Sequence, residues 1–178
     1  QKDEYADKTF WTTGVSANNY VFLRFSEVLL WAAECEVEVG SLEKARDYVN
    51  QVRTRAANPA GWLHTYVDNN NPTAGFTNTP AANYKIGLYT TPWTDQETAR
   101  KAVRFERRDE LGQEGKRHFD LVRYGIADLV INAYIAKEKV HRSYLNGATF
   151  VKGKSEYFPL PQTEIDKSNG ALKQNNGY

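Results

Sequence analysis

Three glutamates spaced four residues apart are the side chains of this sequence best placed for acid–base chemistry. If their segment is helical, Glu106, Glu110 and Glu114 lie one turn apart on the same face. Glycosidases hold two carboxyl groups about 5 to 9.5 Å apart across a sugar, and one of them must stay protonated. Arginines accompany these glutamates at Arg107, Arg117 and Arg123. We expect the arginines to keep all three carboxylates ionised, so we predict no catalytic residues here.

The charged segment around these glutamates is predicted to be structural. It runs from Glu106 to Gly125 and reads ERRDELGQEGKRHFDLVRYG. Apolar residues interrupt it at spacings that a helix would bury, namely Leu111, Phe119, Leu121 and Tyr124. We therefore expect several charges to pair and to hold one helix to the next. The predicted network comprises Glu106, Arg107, Glu110, Glu114, Arg117, Asp120 and Arg123.

A second candidate for chemistry is the long connection over residues 58–93, which is rich in aromatic and amide side chains. A pyranose ring has an apolar face that stacks on aromatic rings, and its hydroxyls match planar amides such as those of Asn69–Asn71. The candidate ligand-binding residues are therefore Trp62, Tyr66 and Trp93. The alternative is that the segment is a lid over the helices whose aromatics serve as cover, and we favour this interpretation.

Neither a metal site nor a cofactor is predicted. His64, His118 and His141 lack partners at metal-ligand spacing, and no dinucleotide, Walker or nucleophile-elbow motif occurs. With 23 basic and 22 acidic residues, the balanced charge does not suggest nucleic acid or an acidic membrane surface as partner. No apolar run approaches the roughly 18 residues of a membrane span. The absence of methionine leads us to expect a processed form or a fragment.

The elements that must position these residues are predicted to be helical. After an extended lead-in at residues 1–20, a helix over 24–39 buries a stripe and ends at a left-handed Gly40. This stripe comprises Phe25, Val28, Ala32, Cys35 and Val39, which makes Cys35 a buried, inert thiol. Ser41 caps a second, antiparallel helix. Its stripe comprises Leu42, Ala45, Val49, Val52 and Ala56. The pair, at about 24–57, has the size of one tetratricopeptide unit, and such units need neighbours.

The remainder is predicted to contain further helices over 94–144 and an irregular tail over 145–178. A capping box at Thr94 and Glu97 opens a helix that includes Gly112. The next helix follows Gly125 and buries Ile126, Leu129, Ala133 and Val140. In the tail, 150–152 and 156–158 are predicted to be extended, and Thr163 with Asp166 to form a capped turn. The fold class is mainly α, with a tetratricopeptide-like hairpin and long irregular loops.

Three segments resemble the SusD/RagB family, the surface glycan-binding lipoproteins of Bacteroidetes outer membranes. The charged segment resembles the family signature, although Gly112, Gln113 and Tyr124 depart from it. The matching residues are Glu106, Arg107, Glu110, Leu111, Glu114, Gly115, Arg117, Phe119, Asp120, Leu121, Arg123 and Gly125. The other two are RFSEVLLWAAECEVEVGSLEKARDYVNQVRTRA at 24–56 and YFPLPQTEIDKSNGALKQNNGY at 157–178, in the family order.

This resemblance implies that residues 1–178 are the C-terminal domain of a SusD-like protein. Such a protein is not an enzyme. It is attached by a lipid at the outer-membrane surface, binds oligosaccharide and delivers it to a SusC-like TonB-dependent transporter. The anchor would lie outside this sequence. The alternative function is that of a helical-repeat module that binds a peptide or another protein.

Overall fold

The computed structural model describes residues 21–178, so the predicted lead-in at 1–20 lies outside the described residues. The mainly α class is confirmed. The described helices are α1 (Phe25–Val39), α2 (Leu42–Ala57), α3 (Gln96–Glu110), α4 (Arg117–Arg123), α5 (Ala127–Glu138) and α6 (Gln162–Lys167). The chain divides into two compact units, the first ending at Leu111 and the second running from Gly112 to Tyr178.

The core of the first unit lies between α1, α2 and α3. Its fully buried members are Leu30, Ala33, Val37, Ala45, Val49, Val52, Ala99 and Val103. The stripe predicted for α2 is confirmed at Ala45, Val49 and Val52, while Leu42 and Ala56 are partly buried. Burying one valine or leucine side chain contributes about 1.5–3 kcal/mol, so these residues help to hold the three helices together.

The stripe predicted for α1 is wrong, because a different face of the helix is buried. Cys35 is exposed, and Val39 is 91% exposed. The face turned towards the core carries Ser26, Glu27, Leu30, Ala33 and Val37. Apolar residues occur on nearly every side of α1, so two different stripes satisfy a helical period. The prediction of Cys35 as a buried thiol is therefore also wrong.

The ends of the first helices follow from local contacts. Gly40 ends α1, but its φ of −130° is not left-handed, which corrects the prediction. A Cβ there would clash with Oε2 of Glu36, and that oxygen accepts a hydrogen bond from the Ser41 amide at 2.8 Å. Ser41 caps α2 as predicted, accepting from the Lys44 amide.

The long connection contains regular structure that the prediction of an irregular loop missed. Strands β1 (His64–Tyr66) and β2 (Phe76–Pro80) pair antiparallel, with Tyr66 opposite Phe76. Short 3-10 turns at Pro59–Gly61 and Pro72–Ala74 precede each strand. A three-residue strand is too short to show an alternation that stands out in sequence.

The start of α3 also differs from the prediction. Asp95, rather than Thr94, is the N-cap, and its carboxylate accepts a hydrogen bond from the Thr98 amide at 2.7 Å. Gly112 lies outside the helix, because α3 ends at Glu110. The following turn places Gln113 at φ 64° and Gly115 at φ 75°. A left-handed glycine at this turn is consistent with the conformational freedom of the residue.

The core of the second unit is formed by Leu121, Ala127 and Phe150. Partly buried residues packed against it are Val122, Ile126, Val130 and Ile131. Of the stripe predicted for α5, Ile126 packs against this core as expected, whereas Leu129 is 69% exposed and Ala133 and Val140 are also exposed, so the prediction is wrong for these three. Phe119, which was expected to be buried, is exposed as well. Like α1, this helix is apolar on several sides, so its hydrophobic period does not show which face is buried.

The tail is held by side-chain amides rather than by strands. Residues 152 and 156 lie in turns, which corrects the prediction of extended segments at 150–152 and 156–158. Asn132 on α5 accepts from the Phe150 amide at 2.7 Å and donates to the Phe150 carbonyl at 3.0 Å. Gln174 exchanges the same two bonds with Leu160. The turn predicted near Thr163 is α6, which begins after Pro161 without a side-chain cap.

Candidate functional site

Glu106 joins α3 to α2. Its Oε2 accepts a hydrogen bond from Nη1 of Arg53 at 2.6 Å, and its side chain is almost fully buried. Burial raises the pKa of Glu106, while the hydrogen bond and the charge of Arg53 lower it in part. Burial is thus the larger effect on this carboxyl group, and the arginine that binds it is Arg53, which the sequence analysis did not name.

Glu110 receives cations from two other helical regions. Its carboxylate is paired with Arg24, which is the N-cap of α1, and with Arg55 of α2 at 2.6 Å. Arg24 also donates to the backbone carbonyl of Glu110. Since Glu110 is the last residue of α3, these contacts fix the end of that helix against α1 and α2.

Arg107 is the most deeply buried cation among the described residues of the first unit. Its side chain is 2% exposed and lies 3.4 Å from Glu34 and 3.8 Å from Glu27, both on α1. The guanidinium also lies 5.8 Å from the ring centroid of Trp31. Glu27, Trp31 and Glu34 are spaced so that a helix presents them on one side. Arg107 thus joins α3 to α1.

The remaining residues of the predicted network lie in the second unit. Asp120 and Arg123 pair with each other at 2.9 Å within α4. Glu114 lies in the turn after α3, and Arg117 is the first residue of α4. The sequence analysis missed the partners on α1 and α2, namely Arg24, Glu27, Glu34, Arg53 and Arg55. The charged residues Glu27 and Glu34 within the mostly apolar sequence of α1 were the signal that could have indicated these partners.

The segment at residues 87–93, which we call the tethered segment, is bound to α2 by side chains of that helix. Asn50 accepts from the Tyr89 amide at 2.9 Å and donates to the Tyr89 carbonyl at 3.0 Å. Arg46 donates to the carbonyls of Tyr89 and Thr90 at 2.8 and 3.0 Å, and Arg53 donates to that of Gly87. The Arg53 guanidinium also lies 4.9 Å from the Tyr89 ring centroid.

The tethered segment and the first turns of α3 line a cavity of about 420 Å³ that is open to solvent, here called the α3 cavity. Its lining residues are Leu88, Tyr89, Thr90, Thr91, Pro92, Trp93, Thr94, Asp95, Thr98 and Ala102. Trp93 packs edge-on against Tyr89, with 5.2 Å between ring centroids, and both rings contact the core of the unit. The carboxylate of Asp95 accepts hydrogen bonds from Thr98, and these bonds are the main reason why its pKa is lowered.

The other two candidate contacts lie in a different environment. The indole of Trp62 donates to the Ala56 carbonyl at 3.0 Å and stacks on Tyr84 at 4.9 Å. The ring of Tyr66 lies 5.1 Å from that of Phe76 across the hairpin. Neither residue lines the α3 cavity or the second described cavity of the unit, near Arg24 and Arg55. The structure therefore does not bring Trp62 and Tyr66 together with Trp93 at either of the two described cavities.

Within the described residues, neither the histidines nor the helices form a metal site or a membrane span. His118 lies beside Phe119, Phe150 and Phe158, with ring centroids 5.7 to 6.4 Å apart. Across the described part of the chain, no three His, Cys, Asp or Glu side chains are grouped so that they could hold a metal ion. No helix within residues 21–178 combines the length and apolarity needed to cross a bilayer.

Comparison with known proteins identifies the family. The profile of the SusD family matches residues 2–178. The chain is 28% identical to SusD-like protein P2 of Formosa agariphila over 165 residues, which are 92% of this chain and 26% of that protein. It is likewise 28% identical to SusD-like protein P25 of the same organism over 166 residues, 91% of this chain and 25% of that protein. The chain belongs to the SusD family. It spans about a quarter of the length of the curated relatives it matches.

Proposed function

We propose that this chain is part of a protein that binds oligosaccharide at the outer-membrane surface without cleaving it. The protein would deliver the bound sugar to a SusC-like TonB-dependent transporter and would be attached to the membrane by a lipid outside this sequence. Membership of the SusD family supports a role in glycan uptake in general terms. The ligand, the transporter and the anchor are inferences for the whole protein, because the matched relatives are about four times as long as this chain.

The observation that carries oligosaccharide binding is the tethered segment with the cavity beside it. Three α2 side chains fix its backbone, and the segment presents an indole and several hydroxyls at the cavity. A site that is ordered before the ligand arrives loses less entropy when it binds. Of the three candidate contacts, Trp93 is the one supported by this geometry. For Trp62 and Tyr66, ligand binding stays a prediction.

Ion pairing of the glutamates supports a binding role rather than hydrolysis. A glycosidase needs one carboxyl group held protonated and a second one ionised, both facing the sugar. Burial does raise the pKa of Glu106, but its carboxylate is bonded to Arg53 and lines neither of the two described cavities. Glu110 is paired with two arginines. Both glutamates therefore have a structural explanation in the contacts between helices.

The proposal is tested by titrating the complete gene product with oligosaccharides in a calorimeter. We expect saturable binding that Trp93→Ala weakens. Trp62→Ala is the matched comparison, because it removes the same side chain at a position that lines neither described cavity. Loss of affinity in Trp62→Ala alone, with an unchanged melting temperature, would move the site to the hairpin. Absence of binding by the wild type would contradict the proposal.

The transporter is tested separately. A tagged copy of the gene product, purified from detergent-solubilised outer membranes of its own cells, should co-purify with a TonB-dependent transporter. The tagged protein must keep its lipid anchor and still bind sugar under the conditions of the purification. If no transporter is then recovered above background, delivery is contradicted and sugar binding is not affected.

A further inference from the structure

We propose that the α3 cavity is a subsite for a neutral sugar unit, and that it disfavours sugars that carry a carboxylate. The inference rests on the proposed function and specifies the class of ligand. It follows from the cavity's size, from the chemistry of its lining and from the rigidity of the tethered segment.

The size of the cavity suits a small ring. Its volume of about 420 Å³ lies towards the lower end of the range of roughly 300–1,000 Å³ found for small-molecule sites. Part of one wall is the indole of Trp93, whose position is set by Tyr89 and by the core. An aromatic ring is the surface on which the apolar face of a pyranose stacks.

Most of the polar residues that line the cavity carry a hydroxyl group, and the hydroxyl of Thr98 is already bonded to Asp95. The hydroxyl groups belong to Tyr89, Thr90, Thr91, Thr94 and Thr98. Each hydroxyl both donates and accepts hydrogen bonds, so a group of them matches a ligand whose own polar groups are hydroxyls. A ligand with a fixed charge would instead require a fixed counter-charge. The lining therefore favours an uncharged polyol over an ionic ligand.

The single charged side chain in the lining is a carboxylate. Asp95 has a lowered pKa because it accepts hydrogen bonds from Thr98, so it is ionised at neutral pH. The lining contains neither lysine nor arginine. Two cations lie close by without lining the cavity: Arg46 donates to the carbonyls of Tyr89 and Thr90, and the charge of Lys101 helps to lower the pKa of Asp95. A uronic acid in this cavity would therefore meet a like charge and find no cation in the lining to pair with its own carboxylate.

The test fills the cavity without removing a hydrogen bond. Ala102→Phe places a ring in the cavity from α3, and Ala136→Phe makes the same change at an exposed position of α5. The probes are malto-, cello-, xylo- and laminarihexaose together with hexamers of galacturonate and guluronate, titrated into the complete gene product. We expect Ala102→Phe to weaken binding of the neutral ligand by about tenfold or more, because the ring displaces the sugar unit. Ala136→Phe should bind as the wild type does.

A second variant addresses the charge. Asp95→Asn keeps a residue that caps helices well and removes the carboxylate. It should improve binding of a uronate hexamer by about threefold relative to binding of the neutral hexamer, the effect of removing one like charge at about 6 Å in water. If Ala102→Phe does not fold, Thr91→Phe fills the cavity from the tethered segment and carries the same expectation.

The outcomes separate this inference from the proposed function. Undiminished binding of the neutral hexamer by folded Ala102→Phe or Thr91→Phe would overturn the subsite while leaving sugar binding in place. Tighter binding of uronates than of all neutral hexamers by the wild type, abolished by Ala102→Phe, would overturn the neutral class alone. Absence of binding for every hexamer would contradict the proposed function itself.

Discussion

Replacement of Glu110 by alanine is expected to destabilise the first unit substantially. The carboxylate is 8% exposed and is paired with Arg24 and Arg55. Removing one partner of a fully buried ion pair costs about 3–5 kcal/mol, because the other charge is left buried.

The magnitude is reduced by the exposure of the arginines. Arg55 is 63% exposed and is readily hydrated after the change, so its pair contributes little, whereas Arg24 is less exposed and also binds the Glu110 carbonyl. Exposed pairs are worth only about 0.2–1 kcal/mol. We therefore expect Glu110→Ala to lower the free energy of unfolding by about 2–3 kcal/mol, and Glu110→Gln by less, since the amide keeps an acceptor.

The assay is urea denaturation of the full chain followed by tryptophan fluorescence, since the described tryptophans all lie in the first unit. Asp109→Ala is the matched control. Asp109 is the neighbouring acidic residue on α3, and its described ion pair, with Arg108, is exposed on both sides. We expect a change of at most about 0.5 kcal/mol in this control. Equal stability of Glu110→Ala and Asp109→Ala would refute the structural role of the pair.

Three further predictions concern titration and the tethered segment. Burial raises the pKa of Glu106 above its ordinary 4.5, so ionised Glu106 is disfavoured in the folded state. As the pH falls from 7 through the raised pKa of folded Glu106, the wild type should therefore gain stability relative to Glu106→Gln. Parallel urea titrations measure this difference, and identical pH profiles of the two proteins would argue against it. Asp95 has the opposite shift, so its contribution is present above its ordinary pKa of 3.8 and disappears as the pH falls through the lowered folded value. Asp95→Asn should lack this loss in thermal melts between pH 5 and 2. Finally, Asn50→Leu should accelerate amide exchange at Tyr89 by about tenfold or more, because the amide loses its acceptor, whereas Gln51→Leu should not. Unchanged exchange in Asn50→Leu would show that the segment is held by other contacts.

The sequence was sufficient where one face of a helix is clearly apolar. In α2, polar residues separate Ala45, Val49 and Val52, so the period identifies the buried face. In α1 and α5, apolar residues occur on several faces, and the choice is made by tertiary contacts. Glu27 illustrates the difference, because its burial depends on Arg107, a residue 80 positions later on α3.

The candidate site was predictable in residue type but not in arrangement. Trp62 and Trp93 are both tryptophans of the same connection, so the sequence predicts sugar binding equally for the two. In the structure, Trp62 stacks on Tyr84, whereas Trp93 lines the α3 cavity. That difference depends on the bonds from Asn50 and Arg46 to the tethered segment, which join residues 39 to 44 positions apart. Local periodicity carries no information on contacts at that separation.

The central claim is that the protein binds oligosaccharide without cleaving it, and one measurement tests both parts. The complete gene product is dialysed to equilibrium against a neutral hexasaccharide, and the sugar from both compartments is then sized by chromatography. The account predicts an excess of sugar on the protein side that saturates with concentration, all of it recovered as intact hexamer. Equal concentrations in the two compartments, or shorter products whose formation Glu106→Gln abolishes, would contradict it.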